Sequence, residues 1–174
     1  SVSVCHEFSG DIVDMGSDVK GWAIGDPVVV EFCGCGECYW CKRGEVGLCD
    51  KLVSHLTGKT VGAFATYVKA KYYKLLKLSD GMTYEQGAIV EPTAVALSAV
   101  NKSKMKVGDV VAVLGLGPIG QLVARVAKLS ARAVYATEIS QIRTELARNV
   151  VDEVVNPKKT DPVDRILELT DGLG

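Results

Sequence analysis

The stretch VVAVLGLGPIGQLVARVAK, residues 110–128, limits the possible folds more than any other part of this 174-residue chain. Its opening residues form a fully apolar strand. Three glycines follow, at Gly115, Gly117 and Gly120. Apolar residues then recur as Ile119, Leu122, Val123 and Val126, at the three- and four-residue spacings of one helix face. Two further strand–helix pairs come after it. AVYATE (133–138) precedes a helix capped by Ser140, with Ile142, Leu146 and Val150 along one side. EVVNP (153–157) precedes a helix opened by Asp161-Pro162 and carrying Val163, Ile166 and Leu167. Strands alternating with helices imply right-handed crossovers and a parallel sheet.

The glycine turn lies between a strand and a helix, which is the context that gives a G-x-G-x-x-G pattern meaning. The first glycine permits a tight turn and the second a close approach of backbone to a pyrophosphate. The third lets helix pack on strand, with the helix N-terminus toward the phosphates. An acid is expected about twenty residues later, at the end of the next strand, and Glu138 stands there. A carboxylate accepts hydrogen bonds from a ribose 2′-hydroxyl and repels a 2′-phosphate. Residues 107–174 therefore read as the N-terminal part of a Rossmann domain. Its expected cofactor is NAD rather than NADP, held by Gly115, Leu116, Gly117, Pro118, Ile119, Gly120 and Glu138. The bland alternative is a glycine turn in a sheet domain that binds no nucleotide.

Five of the six cysteines fall within residues 33–49. Cys35, Cys38, Cys41 and Cys49 follow the spacing C-x2-C-x2-C-x7-C. Two-residue spacers let thiolates converge on one ion from a tight turn, and Gly44 and Gly47 let the chain curl back to complete a tetrahedron. Four thiolates leave no open position, the pattern of a structural zinc site. An iron–sulfur cluster is a rival, since C-x2-C-x2-C also opens ferredoxin motifs, but those continue with a cysteine after three residues and a proline. Here Lys42-Arg43-Gly44 leads to Glu45. Cys33 is read as a small buried residue at the end of an apolar strand over 27–33, and His55 as a loop histidine.

The first half is otherwise mainly β. Residues 1–20 read as extended chain with a turn at Gly16, and residues 63–78 as two short strands. Thr83 and Gln86 fit a capping box for a helix starting at Tyr84. Glu91-Pro92 breaks it, and Pro92 suits the first position of a second helix reaching about Val100. The net charge of −1, with acids and bases interspersed, argues against a nucleic-acid surface or a membrane face. No apolar run approaches spanning length, and no signal peptide opens the chain. A reducing, cytoplasmic setting is the expectation, where clustered cysteines read as metal ligands.

Several segments together resemble the zinc-containing medium-chain alcohol dehydrogenases, on the branch of butanediol, sorbitol and threonine dehydrogenases. They are HEFSG (6–10), GDPVVVE (25–31), CGECYWCKRGEVGLC (35–49), YEQGAIVEP (84–92), VGDVVAVLGLGPIG (107–120) and VNP (155–157). The resemblance runs across the whole chain. It implies a partial GroES-like catalytic domain over 1–106, with the structural-zinc lobe at 33–49, and a partial Rossmann domain over 107–174. It also implies a separate catalytic zinc. His6 matches the histidine of a Gly-His-Glu motif, Glu7 its adjoining acid, and Glu91 a later carboxylate. One imidazole and two carboxylates leave zinc Lewis-acidic, which acidifies an alcohol whose hydride passes to NAD.

The family adds a cysteine ligand upstream of Gly-His-Glu, which this sequence does not contain. The chain departs from the family at Cys5 and Ala63, which stand at glycine positions, and at Asn149-Val150-Val151-Asp152, where Gly-Ala-Asp is usual. The expectation is an internal fragment of a homo-oligomeric dehydrogenase acting on a small secondary alcohol, diol or polyol, with negligible turnover by residues 1–174 alone. The alternatives are a zinc- and NAD-binding module without turnover, and a zinc-ribbon nucleic-acid binder that the charge opposes.

Overall fold

The computed structural model describes residues 5–31, 34–51 and 62–173, so Cys33 and His55 lie outside the described residues. The chain divides into two compact units, residues 1–91 and 92–174. The division falls inside a helix that the sequence had assigned to the first domain.

The first unit is built on a three-stranded antiparallel sheet in the order β1 (Ser9–Asp11), β2 (Pro27–Val30) and β3 (Leu75–Lys77). The central strand buries Val28, Val29 and Val30 together, as an apolar run flanked on both edges should. Residues 16–19 form the turn expected at Gly16, closed by Val19 N–H to the Gly16 carbonyl. The cysteine lobe holds a short α-helix, α1 (Tyr39–Lys42), and a 3-10 turn at Val46–Leu48. Residues 63–78 supply one strand, not two. The β-forming residues Phe64 and Tyr67 stay exposed, because a strand needs a neighbour to bond and composition does not provide one.

Helix α2 (Tyr84–Ala88) starts where expected. Thr83 Oγ1 accepts from Gln86 N–H, and Gln86 Oε1 accepts from Thr83 N–H. The break comes at Ile89, before Glu91-Pro92, and α3 runs Val90–Ser103. Pro92 is thus the third residue of α3 rather than its first. Its missing N–H costs nothing there, because the first turn of any helix leaves its N–H groups without intrahelical partners.

The second unit contains a three-stranded parallel sheet, β4 (Val110–Leu114), β5 (Ala133–Thr137) and β6 (Glu153–Val155), in that order. Its helices are α4 (Pro118–Lys128), α5 (Gln141–Ala147) and α6 (Pro162–Leu169). This is the partial Rossmann arrangement. The core joins Val113, Leu116, Val134, Ala136 and Val151 to Ala124, Ala127 and Ala147 from the helices. Of the apolar stripes expected for α4 and α5, Val123 and Val150 pack against this core, while the fully buried helix positions are alanines. Alanines face the sheet, while Ile142 and Leu146 are 72% and 63% exposed. Small residues let a helix axis approach the strands closely, and the larger apolar side chains then fall on the flanks. The side chain of Asp161 caps α6 by accepting from Val163 and Asp164 N–H, whereas Ser140 makes no side-chain cap to α5.

Candidate functional site

The lobe brings Cys35, Cys38, Cys41 and Cys49 together, with their sulfurs all within 4.8 Å of one another. Cys35 and Cys41 Sγ are 4.0 Å apart, close to the roughly 3.8 Å between ligands of a tetrahedron with bonds of about 2.3 Å. That spacing suits one ion and is too tight for sulfurs spread over several irons. Backbone N–H groups of Glu37 and Cys38 point at Cys35 Sγ, at 3.5 and 3.4 Å. They lower its thiol to about 6. N–H groups of Cys41 and Asp50 lower Cys38 likewise. Burial and the neighbouring sulfurs push Cys41 up to about 11. Some thiols are therefore prepared as thiolates, and a cation is what would draw the proton off the rest. Gly34 takes φ +72°, and a β-carbon there would sit 3.0 Å from Cys41 Sγ, so the chain enters the knuckle through a residue with no side chain.

A second cluster lies elsewhere in the first unit. His6 and Glu7 precede β1, and Glu91 occupies the first turn of α3. His6 Nε2 is 3.7 Å from Glu91 Oε1. One ligand atom from each of His6, Glu7 and Glu91 lies within 4.8 Å of the others. The donor set fits zinc, which takes imidazole nitrogen and carboxylate oxygen together. His6 and Glu91 are about a third exposed, so an ion there would be open to a small molecule.

In the second unit, each glycine of the 115–120 turn meets a different constraint. Gly115 takes φ +91°. Its N–H is held by Thr137, with the carbonyl at 3.0 Å and Oγ1 at 3.2 Å. A β-carbon on Gly120 would lie 2.0 Å from the Gly115 carbonyl oxygen. A β-carbon added at Gly117 would meet nothing within 4 Å, so no packing within the chain demands glycine there, and the turn is open on that side at the N-terminus of α4. Pro118 supplies the fixed φ of a first helical residue. Leu116 contributes its backbone, since its side chain is fully buried in the core. Ile119 is exposed.

Glu138 is 6% exposed, and three backbone N–H groups reach its carboxylate. Oε2 accepts from Leu116 N–H at 3.0 Å. Oε1 accepts from Ile139 and Ser140 N–H at 2.8 and 2.9 Å. The Ser140 N–H, with help from those of Leu116 and Ile139, holds its carboxyl below the usual glutamate range against the effect of burial. Arg143 Nη1 stands 3.8 Å from Oε2. The sequence reading missed Arg143. Its signal was present, because a residue one turn into a helix starting at Ser140 returns to the side of the preceding strand end.

Residues 2–80 match the alcohol dehydrogenase GroES-like domain. (R,R)-Butanediol dehydrogenase of Bacillus subtilis strain 168 is 42% identical over 165 residues, covering 93% of this chain and 46% of that protein. Over nearly its whole length the chain is similar to zinc-containing medium-chain alcohol dehydrogenases, and residues 2–80 carry the GroES-like domain. The crystal structure of 2R,3R-butanediol dehydrogenase from Bacillus subtilis superposes with a TM-score of 0.81 at 42% identity, over 95% of this chain and 48% of that one. A structure described as a zinc-binding dehydrogenase of Sinorhizobium meliloti 1021, bound to NADP, gives 0.84 at 32% identity, over 94% and 48%. The chain spans about half the length of the relatives it matches. Among the described residues, no helix is long and apolar enough to cross a membrane.

Proposed function

We propose that the parent of this chain is a zinc-dependent, NAD-linked dehydrogenase of a small secondary alcohol, with vicinal diols as the favoured class. The observation that carries the reading is the convergence of His6, Glu7 and Glu91, two segments distant in sequence, at ligand distance from one another. These residues would hold the catalytic zinc, whose contribution when bound is to polarise and acidify an alcohol oxygen. Their partial exposure leaves a side from which a substrate hydroxyl can approach. Cys35, Cys38, Cys41 and Cys49 would hold a second, structural zinc with no open position.

Gly115, Leu116, Gly117, Pro118, Ile119 and Gly120 would cradle the pyrophosphate of NAD, the hydride acceptor, with the N-terminus of α4 facing its charge. Glu138 would take the adenine ribose. Its depressed pKa keeps it anionic at neutral pH, which favours a 2′-hydroxyl over a 2′-phosphate. Similarity to a butanediol dehydrogenase supports the diol substrate. We further infer a cytoplasmic homo-oligomer, which sedimentation of the parent protein would test.

The test is metal stoichiometry together with turnover. Zinc-loaded protein should carry two ions per chain, and His6→Ala should reduce this to one. The complete parent should form NADH with 2,3-butanediol, and His6→Ala should abolish that rate. One ion per chain in the unmutated protein, or retention of both by His6→Ala, would defeat the reading.

A further inference from the structure

The candidate ligands of the second metal cluster come from two segments with no covalent tie near them. Alongside the bond from Ala63 N–H to the Cys5 carbonyl at 2.9 Å, the way β1 docks on α2 helps to fix how far His6 and Glu7 stand from Glu91. That junction has three parts. Ser9 Oγ donates to the Tyr84 carbonyl at 2.6 Å. The Tyr84 hydroxyl donates to Asp11 Oδ1 at 2.6 Å. Between them Gly87 is buried against the strand, where an added β-carbon would lie 2.8 Å from Ser9 Cβ and 2.9 Å from Leu78 Cδ2. The two bonds hold strand to helix, and the glycine lets them come this close. The Asp11 carboxylate also holds the Tyr84 phenol above its ordinary pKa, so it remains a donor through the neutral range.

We propose that Ser9, Tyr84 and Gly87 are positioning residues for the His6–Glu7–Glu91 metal site, clamping β1 to α2 so that the ligand atoms stand at bonding separation. The inference rests on the metal reading above. Ser9 follows Glu7 closely in the chain, and Glu91 follows α2 closely, so movement at the junction reaches the ligands with little slack. Carbon atoms in contact stand about 3.5 Å apart or more. A methyl group on Gly87 would therefore push the strand and helix apart by roughly half an ångström. Metal–ligand distances tolerate about 0.2 Å.

The test uses protein loaded with cobalt(II), whose spectrum separates the two sites. Cobalt on four thiolates gives intense charge-transfer bands, and cobalt on nitrogen and oxygen gives weaker d–d bands. Gly87→Ala should weaken cobalt at the nitrogen–oxygen site by roughly tenfold or more, in the range of supporting-residue effects. It should also alter the d–d bands and leave the thiolate bands and affinity unchanged. Tyr84→Phe keeps the ring, drops one bond and should show a smaller loss in the same direction, which guards against misfolding of the glycine variant. Ser9→Gly in the Gly87→Ala background removes the β-carbon that the methyl strikes, while the Leu78 methyls lie at the end of a side chain that can turn aside, so the affinity should return toward that of Ser9→Gly alone.

A lower melting temperature with unchanged cobalt affinity and d–d bands in both single variants would overturn the proposal, as would failure of the rescue. An unmutated protein that binds cobalt only on thiolates would remove the metal reading itself, and this inference with it.

Discussion

At Cys5 the backbone holds φ +86°, a conformation that crowds a β-carbon. The family carries glycine at this position. Replacing Cys5 by glycine relieves roughly 1–2 kcal/mol of crowding and returns part of it as unfolded-state entropy. A net gain of about 0.5–1 kcal/mol is expected, visible as a higher denaturant midpoint at constant slope. A drop would mean that the thiol's contact with the Glu7 carbonyl, 3.4 Å away, outweighs the strain. Glu138 gives a pH prediction. Its folded-state pKa lies below the ordinary 4.5, so its contribution to stability is fully present above that value. The contribution is lost as pH falls through the depressed folded-state value. Glu138→Gln should flatten this acid limb of the stability curve for the second unit, and an unchanged limb would assign it to Asp152 and Glu153, whose carboxyls are also lowered.

Where strand β4 passes into helix α4, Gly117 and Gly120 should part company. Gly120→Ala sets a methyl 2.0 Å from the Gly115 carbonyl oxygen. That overpacking should destabilise the second unit by about 2–3 kcal/mol. Gly117→Ala meets nothing within 4 Å, so it should fold with a melting temperature near the parent's and yet lose NAD affinity in a fluorescence titration. If both variants lost stability equally, the space over Gly117 would be a folding requirement and not a ligand's. At the other end of the unit, Asp161→Ala removes the cap that receives the Val163 and Asp164 N–H groups. The cost should be about 1 kcal/mol by denaturant unfolding.

The molecule comprises two units with separate supports. The first contains the cysteine lobe proposed to hold a zinc; the second has an alanine-rich core beside the glycine turn proposed to cradle NAD. Chelation of metal should therefore lower the unfolding transition of residues 1–91 and spare that of 92–174. NAD at about a hundred times its Kd should raise the second transition by about 2.7 kcal/mol. Differential scanning calorimetry with chelator and with NAD would check this. A single transition moved equally by both additions would show that the units unfold as one.

The features legible in the sequence are local. Thr83–Gln86 capping, the cysteine spacing and the glycine turn each act over a few residues, so their residue types and intervals carry the geometry. The parallel sheet was legible because the alternation of strand and helix leaves chirality little choice. Tertiary structure alone decided the rest. Which face of α5 is buried depends on how near its axis lies to the sheet, and Ala147 won that face from Ile142 and Leu146 because a small side chain permits the closer approach. Whether residues 63–71 form a strand depends on a partner edge, which propensity cannot supply. The meeting of His6 with Glu91 depends on β1 docking against α2 through Ser9, Tyr84 and Gly87. A contact between residues so far apart in the chain is fixed by packing, which no short window of sequence contains.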